Sequence, residues 1–538
     1  MTKRKNPEWL QKAVFYQIYP QSFYDSNDDG IGDIPGIIQK LDYIESLGVN
    51  ALWINPCFVS PFEDAGYDVA DYYQVAPRYG TNDDLKQLFA EAKKRGIRIL
   101  LDLVPGHTSV QHPWFQASQK HEKTQHTDYY VWNNSIWEMP QRDLQVVRGY
   151  AQRDAGYITN FFWFQPALNY GFAQTDPRYP WMQPVDAAGP KMVRQEMKKV
   201  MQFWLDIGAS GFRVDMAASL VKRDPEKTET SRFWTWIREW LAEKYPDAVI
   251  VSEWGEPAQA IPAGFHMDFL LGFNNPGWVS LFRKRGMGRW RDPYGWSFFD
   301  ESGHGDIMQF LNEYLPHLEV TGDQGYIALI TGNHDETPRI ANGRSQAMMK
   351  LIYLFLLTMP GTPFIYYGDE IGMQYLDLPS KEGGYMRTGV RTPMQWSDEQ
   401  NAGFSKAPAE KLYLPVDGFE ERPTVANQED DPDSLLNRVR SLIKTRQALK
   451  ALQADAHFDV IYAESGKLPF VYTRAKQGQK VMVALNPSNR EVSVELPEDL
   501  LEYEPEALDA PEGARIDRSV DGWKLTLGPV SGAMYKVN

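Results

Sequence analysis

Four short segments of this chain set acids, imidazoles and an arginine at the ends of strand-like runs. "DLVPGHT" carries Asp102 and His107, "GFRVD" Arg213 and Asp215, "SEWGE" Glu253, and "TGNHDE" His334 and Asp335. One acid at a strand end is commonly a solvated terminus or a helix cap; that explanation fails for the whole ordered set. Cleaving a glycosidic bond with retention needs an ionised carboxylate as nucleophile and a second, protonated one as general acid. The transition state is oxocarbenium-like, so a further carboxylate beside the ring favours it electrostatically. Arg213, two residues before Asp215, falls on the same side of an extended strand. From there it is expected to orient Asp215 and hold it ionised.

The elements that must position these groups alternate along the chain. "VFYQIYP", "ALWINP", "IRILLDLV", "GFRVDM", "VIVSEW", "MDFLLGF", "YIALITG" and "PFIYYGDEI" are strand candidates, mostly apolar throughout, as buried parallel strands are. Between them lie helical periods. The first runs through Ile37, Ile38, Leu41, Ile44 and Leu47 and stops at Gly48. Eight such units predict an α/β fold, a (β/α)8 TIM barrel with its site at the C-terminal strand ends. About a hundred residues after the third strand lack a barrel period and are rich in Trp, Tyr, Gln and Asn, which reads as an inserted subdomain. After the helix "DSLLNRVRSLIKTRQALKAL" the pattern turns to short strands, an all-β sandwich. The expected division is barrel 1–106, inserted subdomain 107–190, barrel 191–452 and C-terminal domain 453–538. "EERPTVANQEDDPD" reads as an acidic surface loop.

Composition narrows the partners. Lys plus Arg number 56 against 71 Asp plus Glu, a net charge of −15, which disfavours nucleic acid and anionic membranes. Aromatic residues make up 13%, enough for a large core and for rings that stack on sugar faces. A single cysteine, Cys57, rules out an internal disulfide framework. The basic start lacks an apolar secretory core, and the longest apolar run, Leu351 to Met359, is too short to span a bilayer. A cytoplasmic protein, monomeric or weakly oligomeric, is expected.

"DSNDDGIGD", Asp25 to Asp33, has the side chains of a hard-cation loop. Counted as an EF-hand from Asp25, its twelfth position is Gly36 rather than an acid, and a strand precedes it, so it is not an EF-hand.

Taken in order, "DLVPGHT", "GFRVD", "SEWGE" and "TGNHDE" resemble the conserved regions of the α-amylase family of retaining glycoside hydrolases. "GYDVADY", "RYGTNDDL", "HPWFQ" and "RTPMQW" resemble its oligo-1,6-glucosidase and α-glucosidase branch. The resemblance implies Asp215 as nucleophile, Glu253 as acid/base and Asp335 as transition-state stabiliser. It implies that His107, Arg213 and His334 line the site, and that Asp64 and Tyr67 of "DAGYD" grip and stack the sugar. Arg391 of "RTPMQW" is expected to pair with Asp64 and close the non-reducing end. It further implies a structural Ca2+ or Mg2+ held by Asp25, Asn27, Asp29, the Ile31 carbonyl and Asp33, with no organic cofactor. The ligands of a second calcium found in endo-amylases are replaced by Gly106, Ala167 and Ser219, and the Lys–His pair serving the leaving-group side by Ala218 and Ser219. The activity implied is exo-acting hydrolysis of short α-linked gluco-oligosaccharides. A transglucosidase or isomerase such as trehalose synthase, and an α-amylase, remain open. A non-catalytic transporter partner would have lost the carboxylates kept here. Met216 after the nucleophile matches neither the α-1,4 nor the α-1,6 pattern, so the linkage stays open.

Overall fold

Eight parallel strands close on themselves in the computed structural model, which describes residues 5–138, 143–282, 296–322, 324–501, 504–519 and 522–537. They are β1 (Phe15–Ile18), β2 (Ala51–Ile54), β3 (Arg98–Leu103), β4 (Gly211–Val214), β5 (Val249–Ser252), β6 (Met267–Phe269), β7 (Tyr326–Ile330) and β8 (Thr362–Tyr366). Each pairs with its chain neighbours, and β8 returns to β1. Nearly every strand residue is buried, because helices cover the outer face while side chains fill the inside. All eight correspond to the segments read as strands. Register does the chemical work: Asp102 on β3 lies level with Arg213 on β4, and Glu253 follows β5 directly.

The expected first helix is in fact two, Ile34–Gln39 and Leu41–Leu47, meeting at Lys40. Its apolar period survives the break because both pieces face the barrel. Gly48 ends the second at φ +84, a left-handed cap that a side chain would strain. After β3 the chain forms a subdomain with short helices, a small hairpin (146–147 with 157–158) and isolated bridges. The helix Ala188–Ile207 returns it to β4. The segment read as an acidic loop contains a helix, Val425–Glu429, capped by Thr424. Val425 and Gln428 are buried, and Gln428 donates to the Ile371 carbonyl at 2.8 Å; the surrounding acids masked this amphipathic turn. Beyond the helix Leu435–Ala448, a five-stranded and a three-stranded antiparallel sheet face each other over Met482, Leu496, Trp523, Leu525 and Leu527. This is the expected sandwich. Gly532 lets it approach the helix Gln346–Thr358: a Cβ there would meet Leu351 and Leu354 at 2.7 Å.

Candidate active site

The strand ends open into a cavity of about 420 Å3 whose lining includes Asp64, Tyr67, His107, Asp215, Glu253 and Asp335. Arg213 is buried behind that lining. One Nη lies 2.9 Å from both Asp102 Oδ1 and Asp215 Oδ1, and the other 3.0 Å from Glu253 Oε2. Asp102 also accepts from Trp53 Nε1 (3.0 Å) and the Tyr67 hydroxyl (2.9 Å). Asn55 donates to the same Tyr67 oxygen at 3.0 Å, and Gln17 donates to Asn55 at 2.8 Å. This directed chain fixes the Tyr67 ring, which stacks on His334 at 5.2 Å between centroids.

Asp215 and Glu253 are thus held side by side on the two Nη groups of one guanidinium. Met216, just past Asp215, adopts a left-handed conformation at φ +42, a strain of order 1–3 kcal/mol for a residue with a side chain. In that pose its N–H reaches Glu253 Oε2 at 2.9 Å. Burial pushes Asp215 up to about 7, against the pull of Arg213. Burial pushes Glu253 further, to about 8, with the nearby Asp215 charge adding to the rise. Arg213 orients Asp215 as expected, but it does not hold its proton affinity low. Its one charge is divided among three carboxylates, and desolvation prevails. Burial and the neighbouring Asp215 charge both favour the protonated form of Glu253.

Asp335 is set differently. Burial would raise it, yet Arg387, His334 and Arg391 together hold it well below the usual carboxylate range. Arg387 Nη1 and Arg391 Nη2 each lie 2.8 Å from its Oδ1, and His334 Nε2 is 3.5 Å from its Oδ2. Its side chain is 34% exposed against 9% for Asp215, so it faces the opening. His334 Nδ1 accepts from Gln17 Nε2 at 3.2 Å, which places the ring proton on Nε2, toward Asp335. His107 gives Nε2–H to the Tyr67 carbonyl at 3.1 Å and takes Asn160 Nδ2 on Nδ1 at 3.3 Å. Burial lowers it to about 3, so it is neutral.

One expected pairing is wrong. Arg391 does not meet Asp64: it reaches Asp335, Glu382 (3.3 Å) and the His334 carbonyl (2.8 Å). Arg387 takes the place assigned to it, 2.7 Å from Asp64 Oδ1, and Gln165 donates to Asp64 Oδ2 at 2.7 Å. Two arginines lie four residues apart in "MRTGVR", and residue type cannot rank them. The backbone can: Gly383, Gly384, Tyr385 and Met386 all have positive φ, and this left-handed run delivers Arg387 into the pocket. A Cβ on Gly383 would lie 2.5 Å from Asp64 Oδ1 and 2.6 Å from Arg387 Nη2. The glycine pair was the available signal.

The replaced second-calcium positions surround a different arrangement. The Lys222 ammonium donates to Asn160 Oδ1 (2.8 Å) and the Ser219 carbonyl (3.0 Å), and Asn160 Nδ2 lies 3.1 Å from Ser219 Oγ. A Cβ at Gly106 would strike Asn160 Nδ2 at 2.6 Å. A lysine and an amide thus join barrel and subdomain there. Burial lowers Lys222 to about 8.

The "DSNDDGIGD" loop has an all-oxygen donor set suited to a hard cation. In this structure the loop closes on itself. Asp25 accepts from the N–H groups of Asn27, Asp28 and Gly30 and from the Ser405 hydroxyl. Asp33 accepts from Ser26 and caps the following helix through Gly36 N–H at 2.6 Å. Asn27 and Asp29 accept from Asp29 N–H and Ile31 N–H. Among the described residues no three His, Cys, Asp or Glu side chains gather as a metal-holding group. The donor types fit; their present arrangement is spent on the loop's own N–H groups.

Cys57 is buried and its thiol pushed up to about 12, so it is inert packing. Among the described residues no helix is long and apolar enough to cross a membrane.

Comparison with known proteins agrees with this geometry. The trehalose synthase/amylase of Mycolicibacterium smegmatis is 34% identical over 477 residues, covering 81% of this chain and 76% of that one. An oligo-1,6-glucosidase of Heyndrickxia coagulans is 30% identical, covering 91% and 94%. A trehalulose synthase mutant solved with sucrose superimposes with a TM-score of 0.80 at 27% identity, over 99% and 100% of the two chains. The model of the alpha-amylase catalytic domain matches residues 17–455, and on that match the chain belongs to the alpha-amylase family of glycoside hydrolases.

Proposed function

We propose that the protein is a retaining, exo-acting hydrolase of short α-linked gluco-oligosaccharides, with Asp215 as nucleophile and Glu253 as acid/base. The observation that carries this is that Asp215 and Glu253 share the one Arg213 guanidinium, at 2.9 and 3.0 Å. An inverting enzyme needs room for a water between its carboxylates, whereas a retaining one needs them close. Asp215 attacks the anomeric carbon and the glycosidic C–O bond breaks. Glu253 gives its proton to the departing oxygen, leaving a covalent glucosyl ester on Asp215. A water then enters, Glu253 takes its proton, and the new C–O bond displaces Asp215. Asp335, ionised throughout, faces the positive charge that develops on the ring. Asp64 and Arg387 close the far end of the pocket, so one glucosyl unit lies past the scissile bond. Named relatives hydrolyse α-1,6-glucosides or make trehalose, and both outcomes follow from one intermediate, according to which hydroxyl reaches it. The test is proton NMR of the first product from maltotriose or isomaltotriose. α-Glucose released early is expected; β-glucose, or long fragments before glucose, would overturn the reading.

We infer also that Asp25, Asn27, Asp29, the Ile31 carbonyl and Asp33 would hold one Ca2+ or Mg2+ ion, which would supply stability rather than chemistry. The all-oxygen residue set supports this, together with the two buried carboxylates. Burial raises Asp33, with the Asp25 charge beside it contributing. An ion bound only by the folded state raises Tm by mass action. A chelator or Asp29→Ala should therefore lower Tm, and a Tm indifferent to both would leave the loop an acidic turn.

A further inference from the structure

Asp268 on β6 is fully buried and touches no part of the cavity, yet its carboxylate collects the turn that bears Glu253. Oδ1 accepts from the Ser252 hydroxyl at 2.6 Å and from Trp254 N–H at 3.1 Å. Oδ2 accepts from Glu256 N–H at 2.8 Å, and Gly255 N–H also points to the group. The residues on both sides of Glu253 are thus tied to one carboxylate on the next strand. The carbonyls of the same turn are also taken: Asn274 Nδ2 reaches the Trp254 oxygen at 3.1 Å and Asn275 Nδ2 the Gly255 oxygen at 3.2 Å. On its other side, Glu253 N–H meets the Val214 carbonyl at 2.9 Å and its carbonyl accepts Ala217 N–H at 3.2 Å. No peptide group from Glu253 to Gly255 is left to water.

Ordinary packing does not call for an acid here. A buried carboxylate is costly unless donors surround it, and a nest of consecutive N–H groups is a site built for an anion. Burial pushes Asp268 up to about 7, opposed by those same donors. What the arrangement yields is a turn with little freedom, from which Glu253 and Trp254 reach the cavity, Glu253 as its acid beside Asp215.

We propose that Asp268 is the positioning residue of the acid/base, holding the turn from Ser252 to Glu256 so that the Glu253 carboxyl meets the departing oxygen. This rests on the reading of Glu253 as acid/base. Misplacing a catalytic group by about 1 Å can cost on the order of 100-fold in rate. The loss should fall on the step that needs the proton.

The experiment compares maltose or isomaltose, whose leaving groups need protonation, with 4-nitrophenyl α-glucoside, which needs it far less. Asp268→Asn keeps the shape but removes the anion. It should lower kcat on the disaccharide roughly 10- to 100-fold and on the aryl glucoside less than about 3-fold, with KM little changed. Equal losses on both substrates, or none, would overturn the proposal and leave Asp268 structural. Glu253→Gln is the control for the underlying reading. If it too fails to discriminate between leaving groups, the acid/base assignment falls; if it discriminates and Asp268→Asn does not, only this inference falls. Should Asp268→Asn not fold, Ser252→Ala removes a single donor from the same carboxylate. It should show the same leaving-group selectivity at roughly 3-fold, and a parallel or absent effect there would equally overturn the proposal.

Discussion

Around Asp215 and Glu253 one guanidinium, Arg213, serves three carboxylates, whereas two guanidinia, Arg387 and Arg391, meet on Asp335 and each serves one further carboxylate, Asp64 and Glu382. Both clusters sit at the same barrel mouth and are desolvated, yet burial wins in the first and charge in the second. Asp215 and Glu253 are pushed up to about 7 and about 8, while Asp335 is held below the normal range. The difference lies in the ratio of cations to anions and in which strand ends deliver them. On the proposed mechanism, the pair that shares and passes a proton is starved of positive charge, and the group that stays anionic is surrounded by it.

The strongest break of this comparison is removal of the pair itself. Asp215→Asn should lower turnover on oligosaccharides by on the order of 1000-fold or more, since no covalent ester forms. Next comes Arg387→Ala, which leaves Asp64 with Gln165 alone and Asp335 with Arg391 as its remaining guanidinium. Removing one partner of a buried ion pair exposes the full desolvation cost of the other. We expect kcat/KM on disaccharides to fall roughly 100-fold. Arg391→Ala should cost less on disaccharides, because Arg387 keeps both Asp64 and Asp335. Kinetics with maltose and maltohexaose on the two variants decide it: equal losses would mean that Arg387 does not close the pocket.

The pH profile reads the first cluster together with Asp268, which burial also pushes up to about 7. The proposed mechanism requires Asp215 ionised and Glu253 protonated, so kcat/KM should rise as pH passes about 7 and fall as it passes about 8. On an aryl glucoside, Glu253→Gln should remove the alkaline fall and keep the acid rise. A profile flat from pH 6 to 9 would show that the pair is not coupled as the geometry has it.

Much of this was legible in the sequence, and the exceptions share a cause. Strand ends, acids and imidazoles are local features, so β1 to β8 and the positions of Asp215, Glu253, Asp335, His107 and His334 could be read from apolar runs and motif order. The partners that tune them are not local. Arg387 was passed over for Arg391 because the choice depends on four successive left-handed residues, a backbone property that only "GG" hints at. Asp268 and Lys222 were missed because a buried carboxylate and a buried ammonium look in sequence like any solvated charge. The rise of Asp215 was missed because two residues of spacing announce an ion pair, but not the two further carboxylates that divide it.

The finest test asks for opposite signs from one chemical change. Asp215 binds its proton more tightly folded than unfolded, where an ordinary carboxyl releases it near pH 4. Its carboxylate therefore costs nothing below that pH, costs more as pH rises, and reaches its full cost above about 7. Asp215→Asn cannot ionise, so its Tm should match the parent near pH 4 and exceed it by on the order of 2 °C at pH 8. Asp335 is the reverse: its depressed affinity contributes stability above the unfolded value, lost as pH falls through the folded one. Asp335→Asn should lower Tm at pH 8, by a smaller amount because the side chain is partly screened by solvent. Both variants keep volume and shape, so packing cannot produce the contrast. Thermal scans of the two proteins across that range settle it, and shifts of the same sign would mean that the two clusters do not differ in their charge balance.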